Sequence, residues 1–537
     1  MKLTKQGISN KQEWENKGYR LPEYSVEDMI EKTKEHPFWI HFGAGNLFRA
    51  FHARVVQHLL NQGVLDRGLV VAEGFDYEII DKMYVPHENL GIVATLKSDG
   101  TIEKEVVASV AEALPLDSSN ESAYSRLEGI FAADSLQMAT FTITEKGYSL
   151  VNGKGETMPD VAEDFVNEPK QPKSYMGKVA ALLYARYRAG EKPIAMVSTD
   201  NCSHNGDKLY AAIDTFAKEW GKNGVADAGF ETYIHSDKVS FTWSMIDKIT
   251  PRPDAQVEET LRADGVEELD SVITGKHTYV APYVNAEETQ YLVIEDCFPN
   301  GREKLEVAGF MFTDRETVDK VEKMKVCTCL NPLHTALAIF GCLLGYEKIS
   351  DEMKDPDLKK MVEIIGYTEG LPVVVNPGIL NPEEFLRTVL EVRLPNPFMP
   401  DTPQRIATDT SQKLAIRFGE TIKAYMKKDA HAAQKLKLIP LVFAGWLRYL
   451  MAVDDNGKAF TLSPDPMLEE LCPYVKDVAW KDAEAEKKIL PILANEKIFG
   501  VNLAKAGLLH PVCSCFKELI EGEGAVRKTL QKYVEEN

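Results

Sequence analysis

Two hydrophobic periods alternate along the first part of this 537-residue chain. Short continuous apolar runs, typical of buried strands, alternate with segments whose apolar residues recur every three or four positions, typical of amphipathic helices. The predicted strands span 38–42, 68–72, 138–144 and 193–199, with a strand pair at 101–110, and the predicted helices span 26–34 after Ser25, a segment from Ala50, and 178–189. This alternation predicts a doubly wound parallel sheet.

The pattern changes in the second half of the chain. Further strands are predicted at 244–251 and 291–296, and helical periods dominate from Thr317 onwards. We therefore predict an α/β Rossmann-type domain over residues 1–305 and a mainly α-helical domain over residues 306–537. A chain of this length is also too long for one ordinary hydrophobic core.

A glycine turn follows the first predicted buried strand. Gly43 and Gly45 precede Asn46 and Arg49 and then a helix, which is the context in which backbone amides approach a pyrophosphate. Phe48 occupies the place of the third glycine of the usual fingerprint, so the motif is incomplete.

Acidic residues close the second strand of the predicted sheet. Glu73 ends the strand and Asp76 follows it, and a carboxylate there accepts hydrogen bonds from a ribose diol and repels a 2′-phosphate. This favours NAD over NADP. The choice between Glu73 and Asp76 stays open, and the plain structural interpretation of either is a surface carboxylate.

Polar residues also follow the third and fourth strands of this sheet. Thr144 ends one predicted strand and Lys146 follows it, Asn201 follows the next strand, and parallel sheets bind ligands at these strand ends. The alternative for Asn201 is an Asx turn.

The ten residues from Lys325 to His334 place an amine, a carboxamide and an imidazole close together in sequence. On one unbroken helix Lys325 and Asn331 would lie about 240° apart around the axis. Pro332 predicts a helix end near Leu330, after a capping box at 313–316, and a new helix with Asn331 as its N-cap. A break there lets the three groups converge. A carbonyl that gains a hydride requires hydrogen-bond donors for the developing alkoxide and an acid that delivers a proton. The alternative is an N-cap, a solvated lysine and a core histidine.

Arg405, Asp409 and Lys413 are spaced by four residues along a predicted helix. One interpretation is a ladder of surface ion pairs, each worth a few tenths of a kcal/mol. The other places Arg405 and Lys413 on nearly one face, where they hold a carboxylate or hydroxyl groups.

Composition excludes several function classes. Apolar residues make up 44% and charged residues 27% of the chain, and the net charge of −20 argues against a nucleic-acid partner. The N-terminus lacks a signal-like apolar stretch, so we expect a cytoplasmic protein without a membrane partner. Eight cysteines without zinc-type spacing predict free thiols and no metal site.

Several segments together resemble the long-chain mannitol dehydrogenase and fructuronate reductase family of polyol and sugar-acid dehydrogenases. The matching segments run in order through most of the chain: HFGAGN at 41–46 with Arg49, TITEKGY at 142–148, DN at 200–201 with HNG at 204–206, SMIDKITP at 244–251, VIEDCFP at 293–299, LN at 330–331 with His334, and RIATD at 405–409 with Lys413.

The resemblance implies an NAD-binding Rossmann domain, a helical domain and chemistry without zinc. It implies Lys325 as general acid–base, Asn331 and Asn201 as oxyanion ligands, and His334 as the residue that orients the substrate. It also implies substrate binding by Arg405, Lys413 and Asp247. The family usually spaces the lysine five residues before the asparagine, whereas here the spacing is six, so we expect a bulge within 326–330.

The leading hypothesis is NAD-dependent interconversion of a keto-uronic acid or ketose with its aldonate or polyol, with fructuronate and mannonate preferred. Mannitol with fructose, or altronate with tagaturonate, are the alternatives. A dinucleotide-binding sensor without catalysis is the alternative from a different class.

Overall fold

The computed structural model describes all 537 residues, which divide into two compact units. Unit 1 comprises Met1–Lys97 and Thr101–Asp319, and unit 2 comprises Ser98–Gly100 and Lys320–Asn537. All of the strands lie in unit 1: β1 (Tyr19–Arg20), β2 (Trp39–Phe42), β3 (Leu69–Glu73), β4 (Gly91–Leu96), β5 (Ile102–Val107), β6 (Val110–Pro115), β7 (Met138–Phe141), β8 (Ile194–Ser198), β9 (Val239–Thr242), β10 (Ser244–Asp247), β11 (Val272–Ile273), β12 (Tyr279–Val280), β13 (Tyr283–Glu287), β14 (Tyr291–Glu295) and β15 (Met311–Thr313).

The central sheet of unit 1 is parallel and has the strand order β6-β3-β2-β7-β8-β9. Its order reverses between β2 and β7, and parallel sheets bind ligands outside the carboxyl ends of the strands at such a reversal. Every residue of β2, β3, β7 and β8 is buried, which is why these strands are continuous apolar runs in the sequence. The predicted doubly wound sheet is confirmed.

Smaller sheets complete unit 1. They have the orders β1-β5-β4-β13, β10-β14-β15 and β11-β12. The helices that begin in this unit are α1 (Lys5–Ile8), α2 (Lys11–Glu15), α3 (Val26–Glu35), α4 (Ala53–Asn61), α5 (Glu121–Ala132), α6 (Thr144–Gly147), α7 (Pro159–Val166), α8 (Tyr175–Arg188), α9 (Asn205–Asn223), α10 (Gly229–Ile234), α11 (Ala255–Ala263) and α12 (Arg315–Met324). Ser25 caps α3 as predicted, since its hydroxyl accepts the Asp28 N–H at 3.2 Å.

Unit 2 is helical, as predicted. Its α-helices are α13 (Asn331–Leu344), α14 (Ile349–Glu352), α15 (Pro356–Glu363), α16 (Pro382–Thr388), α17 (Pro403–Ile406), α18 (Glu420–Lys428), α19 (Leu438–Leu450), α20 (Leu468–Val475), α21 (Ala485–Leu493), α22 (Glu496–Phe499), α23 (Leu509–Leu519) and α24 (Ala525–Glu535). π-helical turns occur at Lys325–Cys329, Ile364–Gly370, Val389–Arg393 and Ala415–Gly419. Every residue of α19 is buried, and the Glu369 carboxylate accepts the N–H groups of Lys437, Leu438 and Ile439 at its start.

One helical segment has the length and composition of a membrane span. Arg315–Leu344 is long and apolar enough to cross a membrane by length and composition. Of its most apolar 18-residue window, 78% is buried inside the protein, which is typical of a core helix.

Glu352 is a buried carboxylate without a hydrogen-bond partner. Its side chain is inaccessible to solvent, and neither carboxylate oxygen has a partner. The group lies against α13, where a Cβ built at Gly341 would be 2.2 Å from Oε1. Burial raises the pKa of Glu352 well above its ordinary value of 4.5.

We expect Glu352→Met to increase the free energy of unfolding at pH 7 by about 1–3 kcal/mol, because it removes an unsatisfied buried polar group. Since the folded pKa is raised, the carboxyl group contributes its stability below about pH 4.5 and loses it as pH rises through the folded pKa. Glu352→Gln should therefore flatten the dependence of stability on pH in urea unfolding measured from pH 4.5 to 8. An unchanged pH dependence would contradict the assignment.

Candidate active site

The glycine turn after β2 is shaped by its neighbours. Gly43 has φ +109°, and a Cβ at this position would lie 2.3 Å from the Thr142 carbonyl oxygen, so glycine is required. Its N–H donates to the Ala72 carbonyl at 2.8 Å. By contrast, a Cβ at Gly45 meets nothing within 4 Å, so open space lies in front of the turn.

Glu73 ties the end of β3 to this turn. One carboxylate oxygen accepts the Ala44 N–H at 2.8 Å, and the other accepts the N–H groups of Phe75 and Asp76 at 2.8 and 3.0 Å. Burial raises the pKa of Glu73, and the three backbone N–H groups oppose that rise. Three of the roughly four acceptor sites of the carboxylate are thus used, and the oxygen that accepts the Ala44 N–H keeps the fourth.

A cavity of about 550 Å³ opens at this edge of the sheet in unit 1. Phe75 and the residues that directly follow β7 line the cavity. Five of the predicted cofactor residues also line it: Gly43, Gly45, Glu73, Thr144 and Lys146. The cavity thus joins the glycine turn, the acidic end of β3 and the end of β7. That combination fits an extended, partly anionic ligand such as a dinucleotide.

Three predicted cofactor residues do not line this cavity. Asp76 is buried and accepts the Thr274 hydroxyl at 2.6 Å. Arg49 is buried, donates to the Ala281 carbonyl at 2.8 Å, and lies with its guanidinium carbon 6.0 Å from the centre of the Tyr84 ring. Asn46 lies beside the turn and is partly exposed.

Asp200, which the sequence interpretation did not single out, organises the strand ends. Its carboxylate accepts the N–H groups of Ile143 and Thr144 at 3.0 and 2.8 Å and the Tyr148 hydroxyl at 2.5 Å. Thr144 has φ +63°, a conformation that a non-glycine residue adopts only when its surroundings hold it. Asp200 therefore fixes the backbone of a cavity-lining residue and immediately precedes Asn201.

Lys325 begins a π-helical turn. The turn Lys325–Cys329 follows α12, and the Leu330 N–H donates to the Lys325 carbonyl at 3.1 Å, five residues back. Such a turn holds one residue more than an α-helical turn, so it is the bulge that the six-residue spacing predicts. The Thr421 hydroxyl donates to the Cys327 carbonyl at 3.1 Å, and Lys325 is buried.

The helix boundaries around this turn differ slightly from prediction. Leu330 has φ −130° and ψ −62°, so the chain breaks there as Pro332 requires. However, α13 begins at Asn331, which is its first residue and not its cap. Asp314 rather than Thr313 caps α12, because its carboxylate accepts the Thr317 N–H at 2.9 Å.

His334 lies in an ionic cluster within unit 2. Its Nε2 is 3.5 Å from the Asp401 carboxylate, which also pairs with the guanidinium of Arg405. The pKa of His334 is lowered to about 4, mainly by burial and also by nearby Arg393, Arg417 and Arg405, while the charge of Asp401 opposes the lowering. The imidazole is therefore neutral near pH 7, which suits a group that orients hydroxyls.

The predicted helix through Arg405, Asp409 and Lys413 is wrong. Helix α17 ends at Ile406, Asp409 has φ +54°, and a 3₁₀ turn follows before Lys413. No ladder of ion pairs forms, because Arg405 pairs with Asp401 and the Lys413 ammonium donates to the Thr408 carbonyl. Burial, and then the charge of Arg417, lower the pKa of Lys413.

Unit 2 thus brings together a cationic cluster around His334, formed by Arg393, Arg405, Lys413 and Arg417. Asp401 is the acid within it. The sequence interpretation missed Asp401, Arg393 and Arg417, which come from separate segments. Asn201 and Asp247 lie in unit 1, where Asn201 is exposed after β8 and Asp247 is the buried last residue of β10.

A group with metal-ligand chemistry lies elsewhere in unit 1. Ligand atoms of Asp214, Glu231 and His235 are within 4.8 Å of one another. Asp214 is already paired with Lys218 and His235 at 2.6 and 2.7 Å. None of these residues lines the cavity at the glycine turn.

The strand order, the glycine turn at the reversal and the acidic end of β3 define a Rossmann-type nucleotide-binding protein with a helical second part. Family models identify it further: the mannitol dehydrogenase Rossmann domain matches residues 38–307, and the mannitol dehydrogenase C-terminal domain matches residues 317–519. The chain belongs to the mannitol dehydrogenase family and is an oxidoreductase of the dehydrogenase type. The resemblance noted in the sequence is confirmed.

Individual relatives match over nearly the whole chain. A D-mannonate oxidoreductase of Thermotoga maritima is 53% identical over 99% of this chain and 99% of its own. A D-mannonate oxidoreductase of Escherichia coli is 28% identical over 90% of this chain and 93% of its own. Among solved structures, the Pseudomonas fluorescens mannitol 2-dehydrogenase in ternary complex with NAD and D-mannitol has a TM-score of 0.68 and 26% identity, with full coverage of both chains.

Proposed function

We propose that this chain catalyses the NAD-dependent interconversion of D-mannonate and fructuronate. The observation that carries the proposal is 53% identity over 99% of the chain to a D-mannonate oxidoreductase. Mannitol with fructose is the second candidate, because the similar solved structure contains D-mannitol. The division at residue 305 and the cytoplasmic location stay predictions.

The cavity of unit 1 fits NAD. Open space in front of Gly45 leaves room for a pyrophosphate beside the turn, and Glu73 places a carboxylate on the cavity wall. A carboxylate there disfavours the 2′-phosphate of NADP. When bound, NAD supplies the chemistry of hydride transfer.

Lys325 is proposed as the group that gives a proton to the substrate oxygen during reduction and removes it during oxidation, without a metal ion. Lys325 is buried at the start of the π turn, as a proton carrier in a site closed from water would be. The side-chain amides of Asn331 and Asn201 are both proposed to donate hydrogen bonds to this substrate oxygen. Neutral His334 orients the neighbouring hydroxyls.

The cationic cluster around His334 supports a sugar acid as substrate. Arg405 is 59% exposed on its side chain, so it has donors left for a carboxylate beyond its pair with Asp401. Lys413 and Arg417 add positive charge in a chain whose net charge is −20. We propose that Arg405 and Lys413 bind the substrate carboxylate, and that Asp247 contributes to substrate binding from unit 1.

Turnover of NADH with fructuronate, fructose and tagaturonate tests the function. We expect the highest kcat/KM with fructuronate. A preference for fructose would favour the mannitol alternative, and a preference for tagaturonate the altronate alternative. NADH binding without turnover of any of the three would instead favour a sensor.

Glu73→Gln should raise the Kd of NADH about tenfold, because the amide leaves backbone N–H groups of the turn without a partner. Protein-to-NADH fluorescence transfer measures this. Asp76→Asn is the matched control, since Asp76 does not line the cavity and binds Thr274. If Asp76→Asn raised the Kd of NADH more than Glu73→Gln does, the ribose contact would be assigned to Asp76 instead of Glu73.

A further inference from the structure

A second cavity, of about 470 Å³, lies within unit 2. The π turn Lys325–Cys329, the π turn Ala415–Gly419 and helix α18 all contribute to its wall. None of Lys325, Asn331, His334, Arg405 and Lys413 lines it. We call it the rear cavity, because Lys323 and Cys327, which line it, are each two residues from Lys325 and project to the opposite side of a helical turn.

The wall of the rear cavity is positively charged. It carries Lys323, Lys423 and Lys427, against Glu420 as its one acid. Glu420 is already paired with Lys423 at 2.7 Å. With three lysines and one acid, this wall favours an anionic ligand although the chain as a whole has a net charge of −20.

The same cavity has an apolar side. Val375 is 39% and Ile416 48% exposed, and both are among the few large apolar side chains that the chain leaves in contact with solvent. Ala424 and Ala415 continue this surface. Exposed apolar surface beside a charged rim is typical of a ligand site.

The position of the rear cavity connects it to the proposed catalytic groups. One wall is the π turn that begins at Lys325, and another is the π turn that begins two residues after Lys413. Thr421, on the wall, donates to the Cys327 carbonyl and so ties α18 to the catalytic turn. A ligand in this cavity would therefore contact the turn that begins at Lys325.

We propose that the rear cavity binds a small organic anion with an apolar body, and that its occupancy acts on the π turn that begins at Lys325. The binding is independent of the function proposed above. The effect on turnover rests on that function.

Octanoate is a suitable probe, with 1-octanol as its uncharged control. Cys327 lines the cavity and is partly exposed, so iodoacetamide labelling of its peptide, measured by mass spectrometry, reports occupancy. Saturating NADH keeps the cavity of unit 1 occupied. We expect octanoate to slow Cys327 labelling more strongly than 1-octanol and to leave exposed Cys297 unaffected.

Variants locate the effect. Lys427→Glu and Ile416→Glu should each weaken octanoate protection of Cys327 about tenfold, because each adds a negative charge to the wall. Lys360→Glu, on the exposed surface of α15, is the matched control and should bind octanoate normally. Equal protection in all of these variants, or none in the parent, would overturn the site.

Turnover separates binding from the proposed effect. Octanoate should change the kcat of fructuronate reduction in the parent and in Lys360→Glu, but not in Lys427→Glu. Protection of Cys327 with unchanged kcat would overturn the action on the Lys325 turn. If the parent has no fructuronate activity, labelling of Cys327 still decides the binding, so the two failures are distinguishable.

Discussion

Replacing Lys325 by alanine should lower the kcat of fructuronate reduction by about 10²-fold or more and should leave the Kd of NADH unchanged. The reason is that the variant lacks the amine that is proposed to exchange a proton with the substrate oxygen. Stopped-flow single turnovers measure the loss, because they separate the chemical step from product release.

Two controls distinguish chemistry from structure. Lys360→Ala removes an exposed lysine of α15, outside both cavities, and should keep near-normal kcat. Small primary amines added to Lys325→Ala should restore part of the rate if the missing group is a proton carrier, whereas damage to the turn would not respond to them. Near-normal turnover in Lys325→Ala would remove Lys325 from the role.

The strands and the glycine turn of the proposed nucleotide site could be predicted, because each of them leaves a pattern of apolar residues or glycines in its own segment of the sequence. Strands β2, β3, β7 and β8 are apolar runs because both of their faces are buried, and the glycine turn follows from the crowding of Gly43 against Thr142. The spacing of six between Lys325 and Asn331, compared with the five usual in the family, predicted a bulge. The π turn has the corresponding five-residue hydrogen bond.

The surroundings of the site were less predictable because they come from distant segments. Asp401 reaches His334 from a loop 67 positions later, and no spacing rule connects them. Arg405 and Lys413 suggested a helix by their periodicity, but Asp409 adopts a left-handed conformation that ends it. Arg49 follows the glycine motif, yet its guanidinium is buried against Ala281.

Asp200 illustrates a signal that was present and not used. It follows a buried strand of a parallel sheet and directly precedes the proposed oxyanion residue Asn201. The carboxyl ends of parallel strands are where such sheets bind ligands. Its partners are backbone N–H groups and Tyr148, and sequence does not reveal which backbone groups require an acceptor. The positive φ of Thr144 is likewise visible only in the folded chain.

Arg405→Ala should lower kcat/KM for fructuronate by about 10- to 10²-fold and change kcat/KM for fructose little. The guanidinium offers a charge-assisted pair to the carboxylate that fructuronate has and fructose lacks, and hydrogen bonds to charged groups are worth about 1.5–3 kcal/mol. Initial rates with both substrates at saturating NADH measure the ratio. Arg387→Ala, an exposed arginine in the last turn of α16, is the matched control.

The pH of the Arg405→Ala measurement matters, because the substitution also acts on His334. Arg405 lowers the pKa of His334 and Asp401 raises it, so removing the guanidinium moves that pKa upwards from about 4. At pH 8 the imidazole remains neutral in both proteins, and the loss on fructuronate then reports the carboxylate contact alone. An equal loss on fructose at pH 8 would assign Arg405 to the hydroxyl groups that both substrates share, and the preference for a sugar acid would need another origin.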